Sequence, residues 1–245
     1  MNYIIFDLEW NQAADLKTKT ENSLEFEIIE IGAVKLNEKR ELIDKFHELI
    51  KPQVFHKMNQ VTGELLHLEL EQLGNCRTFV QVAADFIRWC GTERVFCTWG
   101  TMDLMELQKN MAYYHMAPLS EKTIRFYDIQ KLFSIAFEDR KSRRTLEYAV
   151  DFLGIRKDVE FHRADADAYY TAKVLRYIKD GSVFDNYSFD TYTLPQTKAE
   201  EIKVYFDEYY KYISREFADK QEAMADADVA STACFLCGCK TRKKI

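Results

Sequence analysis

A short apolar run, Tyr3-Ile4-Ile5-Phe6, begins almost at the N-terminus and ends in two carboxylates separated by one residue, Asp7 and Glu9. Aromatic and β-branched residues in so short a run predict a buried strand. Side chains alternate along a strand, so Asp7 and Glu9 share a face. Two like charges side by side at the end of a buried strand repel one another, and they cost stability unless a cation sits between them. Hard divalent cations such as Mg²⁺ take carboxylate oxygens and are the simplest such partner. Taken alone, an Asp-x-Glu pair more often marks a solvent-exposed strand end. The rest of the chain decides.

The polar stretch from Asn11 to Glu25 has no periodicity and reads as a loop. Phe26 to Leu36 predicts a second strand, Asn37 to Arg40 a turn, and Glu41 to Ile50 a third strand, together a meander. Met58 to Glu64 reads as a loop with a short helix. Phe79, Val82, Ala83, Phe86 and Ile87 form one helical face over Thr78 to Cys90. Val95 to Thr98 is a short strand, and Thr101 or Asp103 opens a helix running to about Tyr114. Another strand spans Phe126 to Ile129, with a helix from there to about Ala136. Thr145 caps a helix that Gly154 stops, and a further helix spans Ala164 to Lys179. Strands first, then helix and strand in alternation, predict an α/β fold: a mixed sheet flanked by helices. Beyond Gly181 an aromatic, polar connector leads to Ile202, Phe206, Tyr209, Ile213 and Phe217, whose helical spacing predicts a long amphipathic helix from Gln196. The expected organisation is a main domain over 1–181, a connector and helical extension over 182–232, and a Cys-rich tail over 233–245.

A chain of 245 residues with 47% hydrophobic content can bury a substantial core. Its net charge of −6 does not advertise nucleic-acid binding, yet a site that is itself a cluster of acids hides basic patches in the total. No apolar stretch approaches the ~20 residues needed to span a bilayer, and the N-terminus lacks the features of a signal peptide. Six cysteines in a chain of this size suggest reduced thiols or a metal site rather than a disulfide scaffold. These features predict a cytoplasmic protein.

Three more residues stand out. Asp103 follows Trp99-Gly100-Thr101-Met102 at the start of a helix, where a carboxylate on its own is explained by the helix N-terminus. His162 sits just before the late helix, and Asp167 lies about one turn into it, so both can reach one site. Four acids and a histidine, all at element ends, converge in few ways other than a two-metal phosphoryl-transfer site.

With those residues in view, the sequence resembles the DEDD superfamily of 3′–5′ exonucleases, histidine subtype, on an RNase H-like fold. The likeness covers roughly Met1 to Gly181. FDLEW matches the first motif through Asp7 and Glu9, WGTMD the second through Asp103, and HRADADA the third through His162 and Asp167. EIIEIGAVKL, VTGELL and RTLEYAVDFLGI add secondary likeness. The tyrosine subtype would carry Tyr at position 163, where this chain has Arg163. Trp10 departs from the small Thr of many members. FDLEWN and YDIQKLF look most like the branch that trims RNA 3′ ends, the ERI-1-like or sporulation-inhibitor-like exonucleases.

The resemblance implies that Asp7, Glu9, Asp103 and Asp167 hold two Mg²⁺ or Mn²⁺ ions, with His162 as general base near its working pH. It implies hydrolysis of single-stranded RNA or DNA from the 3′ end, with nucleoside 5′-monophosphates as product. Leu8, Trp10 and Asn11 become candidates for gripping the terminal nucleotide, with Met58 and Leu65 on the opposite wall. Stacking on such side chains tolerates any base. Arg140 to Arg144 is the densest basic run of the core; Lys51, Lys57 and Arg163 add to it as candidate phosphate contacts. Two other readings stay open, a DNA proofreading or repair exonuclease and a non-catalytic binding module.

At the C-terminus, Cys234, Cys237 and Cys239 form a C-x-x-C-G knuckle, half of a structural zinc signature. A closed site needs four ligands and this segment offers three. The expectation is an incomplete Zn²⁺ ribbon, against a tail with free thiols.

Overall fold

In the computed structural model, residues 1–12, 24–234 and 236–242 are described; most of the loop expected over Asn11 to Glu25 lies outside them. Asn11 and Gln12 do not belong to a loop. They continue the first strand, β1 (Asn2–Gln12), because it pairs antiparallel with β2 (Phe26–Leu36) along its length, from Tyr3 opposite Leu36 to Gln12 opposite Phe26. Ladder hydrogen bonds carry the strand past the point where its side chains turn polar.

The remaining elements follow in order: β3 (Leu42–Lys51), α1 (Gln60–Leu66), α2 (Leu70–Leu73), β4 (Arg77–Thr78), α3 (Phe79–Cys90), β5 (Arg94–Thr98), α4 (Met102–Tyr113), β6 (Arg125–Asp128), α5 (Ile129–Phe137), α6 (Leu146–Phe152), α7 (Ala164–Tyr177) and β7 (Ser188–Phe189). They build one sheet of order β4-β3-β2-β1-β5-β6-β7. The meander β1–β2–β3 is antiparallel, whereas β5 joins β1 and β6 joins β5 in parallel. The result is the mixed sheet flanked by helices of an RNase H-like fold.

Helices cover both faces of β1, so its apolar residues run continuously instead of alternating with polar ones. Phe6 meets Phe86 of α3 and Phe96 of β5. Ile5 faces the other way, into the core built by Leu132 and Phe133 of α5, Val150 of α6 and Ala168 and Ala172 of α7. The alternation then puts Asp7 and Glu9 on the α7 side. Thr145 caps α6 as expected, accepting from the Tyr148 N–H at 3.2 Å.

Gly32 of β2 sits opposite Asp7. A Cβ on Gly32 would lie 2.0 Å from the backbone N of Asp165 and 2.1 Å from the carbonyl carbon of Ala164. The first turn of α7 therefore rests directly on the β2 backbone, helped by the buried small residues Ala164, Ala166 and Ala168. This close approach brings the late motif down onto the first.

Two compact units are present. The first comprises Met1–Leu119 and Arg125–Asp190, the second Ser120–Ile124 and the chain from Thr191. In the second unit the long helix expected from Gln196 does not exist. Ile202–Tyr205 (β8) and Tyr210–Ile213 (β9) form a hairpin instead, followed by α8 (Lys220–Ala225) and a second hairpin of β10 (Ser231–Ala233) and β11 (Lys240–Arg242). Ile202, Val204 and Phe206 alternate as well as falling on a helical face, and the β-branched and aromatic residues favour the strand. Asp207 and Glu208 form the turn, closed by the Phe206 N–H on the Tyr209 carbonyl at 2.8 Å. An ion-pair lattice ties this unit: Lys198 reaches Glu201, Asp226 and Asp228, and Arg215 reaches Glu201 and Asp226, at 2.6–3.2 Å. No helix among the described residues is long and apolar enough to cross a membrane.

Replacing Gly32 with Ala must push α7 off β2. The expected destabilisation is at the upper end of overpacking effects, about 3 kcal/mol, read as a lowered thermal midpoint. An unchanged midpoint would contradict the close approach.

Candidate active site

Asp7, Glu9 and Asp167 converge: one carboxylate oxygen from each lies within 4.8 Å of the others. Asp7 and Glu9 come from alternate positions of β1, and Asp167 from the first turn of α7 seated over Gly32. Asp103 opens α4, is only 6% exposed, and accepts the Leu8 N–H at 3.2 Å. Its carboxylate is thus fixed to the backbone between Asp7 and Glu9. The helix-start explanation for Asp103 is true but incomplete.

The electrostatics are those of an acid cluster short of cations. Burial, then the neighbouring carboxylates Asp103, Glu9 and Asp167, hold the Asp7 carboxyl well above the usual carboxylate range. Burial and the nearby Asp167, Glu30 and Asp103 push Glu9 up to about 8. Burial raises Asp103 to about 7, against hydrogen bonds from its own backbone and from Leu8. Burial also raises Asp167 to about 6, opposed by His162. Asp167 Oδ1 is buried with no hydrogen-bond partner. An orphaned carboxylate oxygen inside a cluster of repelling hard-oxygen donors fits a divalent cation.

His162 is exposed and precedes α7 with a left-handed backbone, φ 65°. The next residue, Arg163, does not point into open solvent. Its guanidinium forks onto Glu30 at 2.9–3.1 Å, and Glu30 also accepts from His47 at 2.6 Å. Glu30 is fully buried. Burial acts to raise its pKa, but the bonds from His47 and Arg163 outweigh this and hold it below the usual range. The candidate phosphate contact at 163 is therefore engaged inside the protein, where it ties the loop carrying His162 to β2.

The other candidate contacts divide. Leu8 is 3% exposed, so its side chain packs in the core and is not available for stacking. Asn11 is buried and bridges to the 57–59 segment, donating to the Lys57 carbonyl and accepting the Asn59 N–H, both at 2.9 Å. Trp10 is half-buried against Phe26 at 5.4 Å between ring centroids. Met58 is partly buried against Leu66, Leu68 and Leu73, whereas Leu65 of α1 is 46% exposed. In the basic run, Arg144 pairs with Glu138 at 2.9 Å and Arg143 bonds the Lys141 and Ser142 carbonyls.

Among the described residues one further group brings potential ligands within 4.8 Å: Glu30, His47 and Asp165. Cys234, Cys237 and Cys239 do not form such a group; they sit in the turn between β10 and β11, where the Gly238 N–H reaches the Cys234 carbonyl at 2.7 Å. Glu30, His47 and Gly32 escaped the motif reading. The signal for Glu30 was a charge in a strand apolar on both faces, which must have an internal partner.

Two predictions follow from this charge arrangement. Raised carboxylate pKa values mean that the folded state binds more protons than the unfolded chain. Stability without metal therefore falls as pH rises from about 4 through the Glu9 value of about 8. Thermal melts in chelator should show a lower midpoint at pH 8 than at pH 5.5, and divalent cation should raise the midpoint more at pH 8. A flat profile would contradict the cluster. Separately, Arg163→Met leaves buried Glu30 with only His47, and should cost about 3 kcal/mol, the low end for breaking a buried pair, in chemical denaturation.

The profile of the exonuclease family RNase_T matches residues 4–175. No curated protein matches the sequence. Solved structures share the fold. The nuclease domain of 3′hExo, a DEDDh family member bound to rAMP, is 20% identical with a TM-score of 0.61, over 78% of this chain and 96% of that one. A full-length 3′-exonuclease is 20% identical with a TM-score of 0.60, over 72% and 80%. E. coli exonuclease I in complex with a dA16 oligonucleotide is 14% identical with a TM-score of 0.57, over 75% of this chain and 42% of that one. With the family profile spanning most of the chain, and a mixed α/β fold shared with solved exonuclease structures, this protein belongs to the RNase_T exonuclease family.

Proposed function

We propose that this nuclease is a 3′–5′ exonuclease that uses two divalent cations, Mg²⁺ or Mn²⁺, to hydrolyse single-stranded nucleic acid, RNA in preference to DNA, releasing nucleoside 5′-monophosphates. The observation that carries the reading is the convergence of Asp7, Glu9 and Asp167 within 4.8 Å, beside Asp103. Those four carboxylates would hold the cations. When bound, such cations neutralise the phosphate and make a bound water acidic enough to attack it at neutral pH. Carboxylates that repel one another so strongly are suited to give up protons to a cation.

In this reading His162 takes the proton of the attacking water. An imidazole serves because it can both accept and return a proton in such a step. The Arg163–Glu30 pair holds the loop from which His162 projects. Trp10, half-buried, and Leu65, exposed, are the side chains left to meet the terminal nucleotide; Leu8 contributes through its backbone N–H on Asp103. The preference for RNA is supported by the likeness of FDLEWN and YDIQKLF to the RNA-trimming branch. The C-x-x-C-G spacing alone supports a zinc half-site at Cys234, Cys237 and Cys239, whose sulfurs do not gather as a ligand group.

The test is to incubate 5′-labelled single-stranded RNA and DNA of one sequence with the protein in Mg²⁺, Mn²⁺ or chelator. A metal-dependent ladder shortening from the 3′ end, faster on RNA and lost in Asp7→Asn, is expected. His162→Ala should lower kcat about 10²–10⁴-fold while leaving the fold intact. Folded protein that cuts neither polymer would sink the catalytic reading and favour a binding module.

A further inference from the structure

A second charged feature lies at the opposite end of α7 from Asp167. A cavity of about 350 Å³ is lined by Ile155, Arg156, Lys173, Arg176, Tyr177 and Lys179. Four of these six are cationic and none is acidic, on a chain whose net charge is −6. Lys173 is engaged by Asp158 at 3.3 Å. Among the described residues, no carboxylate pairs with Arg156, Arg176 or Lys179; the neighbouring Asp180 is turned to Ser182.

The ordinary explanation for cations here is the helix C-terminus, which carries roughly −0.5 elementary charge. Lys179 satisfies it, donating to the Arg176 carbonyl at 2.8 Å, and Arg40 also reaches the Ile178 carbonyl. Arg156 and Arg176 remain as charge beyond what the helix end requires. Uncompensated cations gathered round a concavity repel one another, as the acids of the active site do, and the complementary partner is an anion with several charges. Tyr177 stands at this cavity 45% exposed. Cations beside an exposed aromatic ring suit the phosphates and bases of a single strand.

We propose that this cleft is a second contact for the nucleic-acid substrate, binding backbone phosphates of the strand upstream of the 3′ end. The inference rests on the exonuclease reading for its substrate. Asp167 and Arg176 are nine residues apart on α7, or about 14 Å along its axis at 1.5 Å per residue. Nine residues at about 100° each also turn Arg176 to the other side of α7 from Asp167. A strand must pass round the helix, and needs more than the about four stacked nucleotides, at about 3.4 Å each, that the axial span alone would take. A dinucleotide therefore occupies the acid cluster without reaching the cleft, and a longer strand reaches both.

The test compares Arg156→Gln/Arg176→Gln with the parent, both in the whole 245-residue chain carrying Asp7→Asn, for binding of a fluorescent single strand of about a dozen nucleotides across a salt series. Loss of two phosphate contacts should weaken binding about tenfold at low salt and flatten the slope of log K against log salt by about 1.4. With Asp7 restored, hydrolysis of a dinucleotide should be unchanged, and the melting midpoint should match the parent. Equal affinity and slope on the long strand would overturn the proposal. So would an equal loss of dinucleotide hydrolysis, which would mark a general effect of charge. Failure of the parent enzyme to cut any polymer would count against the exonuclease reading alone, because the binding comparison is made without turnover.

Discussion

Mutual repulsion among Asp7, Glu9, Asp103 and Asp167 is the constraint on which this structure turns. Nothing in the electrostatics of the free chain favours bringing these acids together. Packing does it: the β1–β2 ladder fixes Asp7 opposite Gly32, and the bare β2 backbone lets the first turn of α7 settle there. Burial of Ile4, Ile5 and Phe6 on the same strand supplies the opposing free energy, at roughly 1.5–3 kcal/mol for each large apolar side chain. The fold thus holds charge in a state that protons or a hard cation would relieve.

The cluster is surrounded by carboxylates with the opposite character. Glu30 and Glu27 lie in the same β2 strand, almost fully buried, yet each is fully partnered. Glu27 accepts the N–H groups of Val54 and Phe55 and the Tyr114 hydroxyl; Glu30 takes Arg163 and His47. These two acids spend their charge on architecture. They fasten the segment after β3 and the loop before α7 that carries His162. Buried acids are thus separated by their donors: Glu27 and Glu30 of β2 are fully bonded and position loops, whereas Asp167 of α7 keeps a buried oxygen without a donor.

Much of this was legible in the sequence. β2 has the expected bounds, and the other expected core helices and strands differ from those observed by a residue or two, because their apolar periodicity agrees with the tertiary burial; β1 is the exception, running on to Gln12 where its side chains are polar. The acids and His162 were visible as candidates from their spacing, although Asp7 and Glu9 lie within β1 and not at its end. Three things were not. Gly32 matters only because of Ala164 and Asp165, and Glu30 because of Arg163, 133 residues away; local pattern carries neither contact. The hairpin at Ile202 to Ile213 reads as a helix because its apolar residues satisfy both periods, and only the β-branched and aromatic choice, with Asp207-Glu208 between, tips the balance. Leu8 and Asn11 lie beside motif residues, but burial assigns their side chains to the core and to the 57–59 segment.

The most direct measurement is calorimetric titration of the chain with Mn²⁺ near pH 7, repeated in buffers of different ionisation enthalpy so that released protons are counted. Raised carboxylate pKa values in the cluster require that cation binding expel protons, fewer at higher pH, and that Asp167→Asn weaken binding sharply. Binding that releases no protons, or that is indifferent to Asp167, would contradict a cluster built to hold divalent cations.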